Sequence, residues 1–156
     1  MRTITPFLLF SGNAEEAVNF YVSVFRDSSI HKITRCPPGT PIQEGSVLTV
    51  EFQLNGQEFV ALNGPEAEFT MAVSFQISCE TQEEVDHYWS RLSEGGEESW
   101  CGWLTDKFGL SWQVTPTIMG KLLGDEDAEK ESRVMQAMMR MGKINIQGIL
   151  AAYESE

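Results

Sequence analysis

Two small polar sets stand out by residue type and spacing. Glu51 and Gln53 alternate with Val50 and Phe52 in SVLTVEFQL, and Ser74, Gln76 and Gln113 alternate with Phe75, Ile77, Trp112 and Val114 in SFQIS and SWQV. Alternate residues of a strand share a face, so each set projects from one side of a sheet while its apolar neighbours pack on the other. One carboxylate, three carboxamides, a hydroxyl and the nearby indole of Trp100 can hydrogen-bond and stack on a small polar molecule. Three chemistries follow. The surface binds or sequesters a ligand without changing it. Alternatively it catalyses, with Glu51 as a general base activated by burial and Gln113 orienting the substrate. In the third, the acidic C-terminal helices dock a partner and the chain acts as a helper. Turnover that dies with Glu51→Gln separates the second reading from the first.

Other reactive residues offer less. Cys36, Cys79 and Cys101 are unevenly spaced and form no CxxC, so they suggest neither a disulfide framework nor a zinc knuckle, and small buried thiols are the expectation. His31 and His87 fall on a strand and a helix away from the polar sets. No Gly-rich turn joins a strand to a helix: Gly12 stands alone, and Gly95-Gly96 follows a helix rather than opening one. A dinucleotide or adenosyl cradle of the usual kind is therefore not expected.

The elements that carry the polar sets occur twice. EEAVNFYVSVF (15–25) resembles EEVDHYWSRLS (83–93), placing Ala17 on Val85, Phe20 on Tyr88, Tyr21 on Trp89 and Val24 on Leu92; upstream, Phe7 falls on Phe75 and Leu9 on Ile77. Downstream, LNGQEFVAL resembles FGLSWQV after a shorter connection, with Phe59 on Trp112 and Ala61 on Val114. Each copy reads as strand, helix and hairpin. The first strand is expected over about 3–10, with Asn13 as the cap of a helix running to about Phe25. A strand over 29–35, the Pro/Gly loop CPPGTPIQEG (36–45), and two strands around Asn55-Gly56 complete module one. The two-residue turn pairs Leu54 with Gln57, Gln53 with Glu58, Phe52 with Phe59, Glu51 with Val60 and Val50 with Ala61. The loop 36–45 is expected to lie over the sheet edge as a mobile rim that gates a ligand, since its three prolines cannot join a ladder.

Module two repeats the plan. A strand is expected over 71–79, then Thr81 capping a helix with Glu84 in a capping box, Gly95-Gly96 as its stop, and strands near 97–105 and 110–115. After Pro116 the pattern turns helical, with Val134, Met138 and Met141 at helical spacing and Met135 and Met139 widening the apolar face, as core or as a subunit interface. The fold class is α+β: one domain over 1–156, with modules at about 1–66 and 69–115 and C-terminal helices over about 116–154. The polar faces either meet solvent or line a ligand cleft closed by the facing sheet; sheets this narrow seldom leave one face bare, which favours the cleft.

Composition limits the partners. A formal charge of −12 over 156 residues opposes phosphate backbones and anionic lipid, so neither nucleic acid nor membrane is an expected partner. No apolar run reaches the length of about 18 residues that suggests a span, and the apolar stretch in MRTITPFLLFSGNAEE is too short for a secretory signal, so a soluble cytoplasmic protein is expected. Exposed sheet edges and the Met-rich helix favour a homodimer.

The tandem plan resembles the vicinal oxygen chelate superfamily (glyoxalase, fosfomycin-resistance and extradiol dioxygenase proteins). CGWLTDKFGLSWQVTP (101–116) and RVMQAMMRMGKINIQGILAAYE (133–154) resemble its PhnB-like group, which carries the label 3-demethylubiquinone-9 3-methyltransferase domain. The resemblance implies tandem βαβββ units forming a glyoxalase-like cleft between mixed sheets, here with a helical C-terminal extension, in a dimer whose modules can be exchanged. It also implies a metal held by His or Glu on four strands. Those positions fall on Pro6, Val60, near Ser74 and on Gln113, which supply no adequate donor set, so the expectation is a small-molecule site with no metal and no cofactor.

Overall fold

The computed structural model describes residues 4–155. The chain divides into two compact units, residues 1–68 and 69–156.

The first unit contains β1 (Phe7–Phe10), α1 (Ala14–Val24), β2 (Ser28–Arg35), β3 (Val47–Leu54) and β4 (Gln57–Asn63). Its sheet runs β1-β4-β3-β2, with β1 parallel to β4 and the other pairs antiparallel. The strand expected over 3–10 is shorter, and residue 3 lies outside the described residues. Asn55 and Gly56 both adopt positive φ (48° and 76°), the signature of a two-residue hairpin turn matching strand twist. That turn fixes the five cross-strand pairs in the expected register. Val50, Phe52, Phe59 and Ala61 are accordingly buried on one face, with the Phe52 and Phe59 rings stacked 5.4 Å apart. α1 supplies Ala17, Val18, Tyr21 and Val24 to the same core, and each large apolar side chain so buried contributes about 1.5–3 kcal/mol.

One expectation about α1 is corrected. Asn13 occupies the cap position, but its side chain makes no cap bond. Asn63, at the end of β4, does this work instead: its Oδ1 accepts from the Ala14 N–H at 2.9 Å and its Nδ2 donates to the Val47 carbonyl at 3.0 Å. A residue remote in sequence thus ties β4, β3 and the helix start together.

The second unit contains β5 (Ser74–Cys79), α2 (Gln82–Ser93), β6 (Glu97–Glu98), β7 (Trp103–Thr105) and β8 (Ser111–Pro116), in the order β5-β8-β7-β6 with β5 parallel to β8. Thr81 caps α2 as expected, its Oγ1 accepting from the Glu84 N–H at 3.2 Å; the Glu84 carboxylate accepts from the N–H of Glu80 at 2.6 Å. Gly96 follows the helix where an added Cβ would collide with the Thr105 carbonyl, so only glycine fits.

The strand expected over 97–105 is broken. β6 and β7 are separated by a turn in which Cys101 and Gly102 take positive φ (59° and 81°). Their N–H groups donate to the carbonyls of Met141 and Gly142, each at 2.8 Å, so this backbone is spent on a distant segment rather than on a sheet ladder. That segment belongs to the extension, which carries α3 (Met119–Leu122), α4 (Ala128–Met139) and α5 (Ile146–Glu154). Met119, Leu122, Val134, Ile144 and Ile149 form its buried cluster, with Met138 and Met141 packed against it. The Met stripe therefore splits, because Met135 and Met139 stay exposed. Gln82 fastens the extension to the start of α2: its Nε2 donates to the Ile144 carbonyl at 3.1 Å, and its Oε1 accepts from the Ile146 N–H at 2.8 Å.

Candidate functional site

In the first unit the face opposite α1 carries Glu51, Gln53, Glu58 and Val60. Glu51 is half-buried, and its cross-strand neighbours are Lys32 on β2 and Val60 on β4. Gln53 is partly committed, since its Oε1 accepts from the Gly56 N–H at 2.6 Å and so braces the turn. His31 sits where the β2–β3 register slips between Ile30 and Lys32, and its Nε2 lies 3.4 Å from the Glu58 carboxylate. Sequence alternation missed this pair because an irregular register takes a residue out of the two-residue period.

In the second unit Ser74 pairs with Ser111, and Gln76 with Gln113. Gln113 Nε2 donates to Ser74 Oγ at 2.9 Å; both residues are half-buried, Gln76 is exposed and Ser111 is buried. The polar set thus shares a face as its spacing requires. Trp100 does not sit on a strand: it occupies the β6–β7 turn and is 69% exposed. The strand aromatic that pairs directly with Gln113 is Trp103, which sequence reasoning passed over. A hollow of about 270 Å³ is lined there by Met71, Glu97, Trp103, Thr105 and Ser111 among others. Trp103 was legible in principle, because a register set by the 106–110 turn places it opposite Gln113.

That turn is organised by Asp106, a buried carboxylate. Its Oδ1 accepts from the N–H groups of Phe108 (2.8 Å) and Leu110 (3.1 Å), and its Oδ2 accepts from Trp112 Nε1 at 2.9 Å. A buried charge is tolerable when it accepts several hydrogen bonds in this way, so Asp106 is a structural residue of the TDKFGLSWQ motif. Cys79 is equally unreactive. Burial, helped by the charge of Glu84, pushes its thiol up to about 12, and a thiol rather than a thiolate is present at neutral pH.

The family model described as 3-demethylubiquinone-9 3-methyltransferase matches residues 2–115. The chain belongs to this family. The PhnB protein from Bacillus cereus is 40% identical, over 74% of this chain and 100% of that one, with a TM-score of 0.68. Protein PA1353 from Pseudomonas aeruginosa shares 19% identity over 74% of this chain and 98% of its own, at TM-score 0.63. The fosfomycin resistance protein FosX from Listeria monocytogenes shares 13% over 77% and 94%, at TM-score 0.54. At such identities the last two show fold alone, and that fold is glyoxalase-like. Among curated proteins none matches. The family match stops before α3, so the helical extension lies beyond it.

The residues of this PhnB-like chain do not fit the two groups that its relationships imply. A superfamily metal would need donors at Pro6, Val60, Ser74 and Gln113. Pro6 and Val60 meet through a backbone bond of 3.0 Å and offer no side-chain donor, while the neutral Gln113 and Ser74 bond to each other. Among the described residues no group of three or more His, Cys, Asp or Glu could hold a metal ion. The common adenosyl methyl-donor site, by the same logic as dinucleotide sites, uses a Gly-rich turn between a parallel strand and a helix. Here each sheet has one parallel pair, and among the described residues the strand-to-helix turns are Ser11-Gly12-Asn13, with one glycine, and Glu80-Thr81 and Thr117-Ile118, with none. Among the described residues no helix is long and apolar enough to cross a membrane.

Proposed function

We propose that this PhnB-like chain binds a small polar molecule without a metal ion on a polar sheet face, that of Ser74, Gln76 and Gln113 in the second module, with Glu51 and Gln53 forming the corresponding face of the first. The observation that carries this reading is the Gln113–Ser74 hydrogen bond. By the resemblance, these two neutral groups fall at or near positions where the superfamily has metal donors. Each holds the other in place, and the Gln113 carbonyl oxygen and the Ser74 hydroxyl hydrogen remain to meet a ligand. Trp103 adds an aromatic surface beside them, and Trp100 a second indole on the adjoining turn. Small molecules released by denaturing the purified protein and identified by mass spectrometry give the ligand. Titrated back, that compound binds about tenfold more weakly to Gln113→Ala, the loss of one buried polar contact. Equal affinity for wild type, Gln113→Ala and Gln53→Ala removes the reading, and turnover that vanishes in Glu51→Gln replaces it with a catalytic one.

The chain also has the features of a homodimer. Phe7 on edge strand β1, and Met71 and Val73 leading into edge strand β5, are large exposed apolar side chains beside unpaired strand edges. Light scattering then gives about twice the chain mass of 17.5 kDa; a monodisperse monomer at micromolar concentration contradicts the dimer.

A further inference from the structure

The end of the first sheet, where β1 runs into α1, borders a half-open cavity of about 500 Å³, a volume within the range of small-molecule pockets. Glu15, Cys36, Ile42, Leu48, Asn63 and Pro65 contribute to its wall, which is built wholly from the first unit. Neither Glu51 nor Gln53 lines it. Leu48 and Asn63 fall in step with Val50 and Ala61, the residues packed toward α1, whereas Glu51 and Gln53 point to the opposite face. The cavity is therefore a different place from the polar face.

Among the described residues its wall is largely apolar and carries one charge. The Asn63 amide is held by the Ala14 N–H and the Val47 carbonyl. Ile42 comes from the loop 36–45, whose neck is closed by bonds from Cys36 N–H to the Ser46 carbonyl (2.8 Å) and from Gly45 N–H to the Cys36 carbonyl (3.0 Å). The Thr40 hydroxyl lies within bonding distance of the Pro37 and Ile42 carbonyls, so the loop is supported from within. Cys36 is only 4% exposed, and its thiol has no hydrogen-bond partner among the described residues. Glu15, half-buried in the first turn of α1, is the one charged lining residue among the described residues. With Glu15 and Glu16 already matched to the helix dipole, an added anion gains nothing there and meets a like charge.

We propose that this cavity binds a compact, largely apolar molecule bearing a protonated amine. The amine pairs with the Glu15 carboxylate, and the apolar body packs on Ile42, Leu48 and Pro65. The proposal does not rest on the polar-face reading, because no residue of that face lines the cavity.

Two matched probes test it, 4-phenylbutylamine and 4-phenylbutyrate, titrated into the whole protein by NMR and calorimetry. The amine binds saturably with an affinity of about millimolar or tighter, as suits so small a ligand, and the carboxylate does not. Glu15→Gln weakens the amine about fivefold, the size of a partly exposed ion pair, and erases the preference over the carboxylate. Ile42→Trp, a change in an exposed loop, fills the space and abolishes binding. Iodoacetamide labelling read by peptide mass spectrometry gives a second readout: the amine slows alkylation of Cys36 but not of Cys101. No saturable amine binding, equal binding of both probes, or full affinity in Glu15→Gln or Ile42→Trp overturns the proposal.

Discussion

The two modules have the same strand order and are held together differently. In module one the ladder suffices: β2 and β3 are eight residues each and pair along nearly their whole length. In module two the equivalent strands have shrunk to two and three residues. Backbone pairing that short cannot hold a sheet edge. Polar stitches replace it, namely the buried Asp106 within the last hairpin and the 141–146 segment bonded to Cys101, Gly102 and Gln82. One topology can thus be secured by a long ladder or by a few side-chain and backbone bonds from outside the repeat. The extension lies beyond the family match, yet here it completes module two.

The largest effect expected from this contrast is on truncation. A chain ending after Pro116 loses the bonds to Cys101, Gly102 and Gln82 and the burial of Ile144, and its urea stability falls by about 3–5 kcal/mol. A truncated chain as stable as the whole makes the extension an accessory. Next comes Asp106→Ala, which orphans the N–H groups of Phe108, Leu110 and Trp112 and costs about 2–4 kcal/mol by thermal unfolding. Asp106→Asn keeps one acceptor and costs less. A smaller loss, about 1–2 kcal/mol, follows Asn63→Ala in module one, where the ladder remains intact. If that exceeds the Asp106→Ala loss, the ranking of ladder over stitch is wrong.

The smallest effect is on pH. Hydrogen bonds from Lys143 and then Gln82 hold the Asp86 carboxyl below its ordinary value of 3.8, and the Asp127 N–H and the Tyr153 hydroxyl do the same for Asp125. A lowered folded-state pKa contributes stability above the unfolded value that is lost as pH falls through the folded one. The extension therefore loosens below about pH 4, and both groups are too exposed for the effect to be large. In Asp125→Asn the melting temperature drops less between pH 5 and pH 2 (about the span of that titration) than in wild type. An equal drop excludes Asp125 as a contributor.

Much of module one was legible in its residues, because Asn55-Gly56 sets a register and the register sorts every neighbour. The cap of α1 was not, since Asn63 is brought to Ala14 only by folding. Module two was read less well for the same reason that makes it different. Its segment 97–105 folds back on itself as β6 and β7, and at the break between them the N–H groups of Cys101 and Gly102 go to residues 141 and 142, partners that no local period reveals. At the candidate site, alternation put Gln113 and Ser74 on one face, whereas their contact needed the β5–β8 pairing, Trp103 the second hairpin's register, and the His31–Glu58 approach a slip in β2. The cavity beside α1 was beyond pattern reading altogether, being made by the ends of elements and a loop.

In the proposed function a neutral Gln113–Ser74 pair stands in place of metal donors. Elemental analysis of the untagged protein, purified without chelator, tests it most directly. Far less than one equivalent of any transition metal per chain is expected, with no change in Gln113→Ala. One equivalent of zinc, nickel, manganese or iron in the wild type, lost in Gln113→Ala, would contradict it.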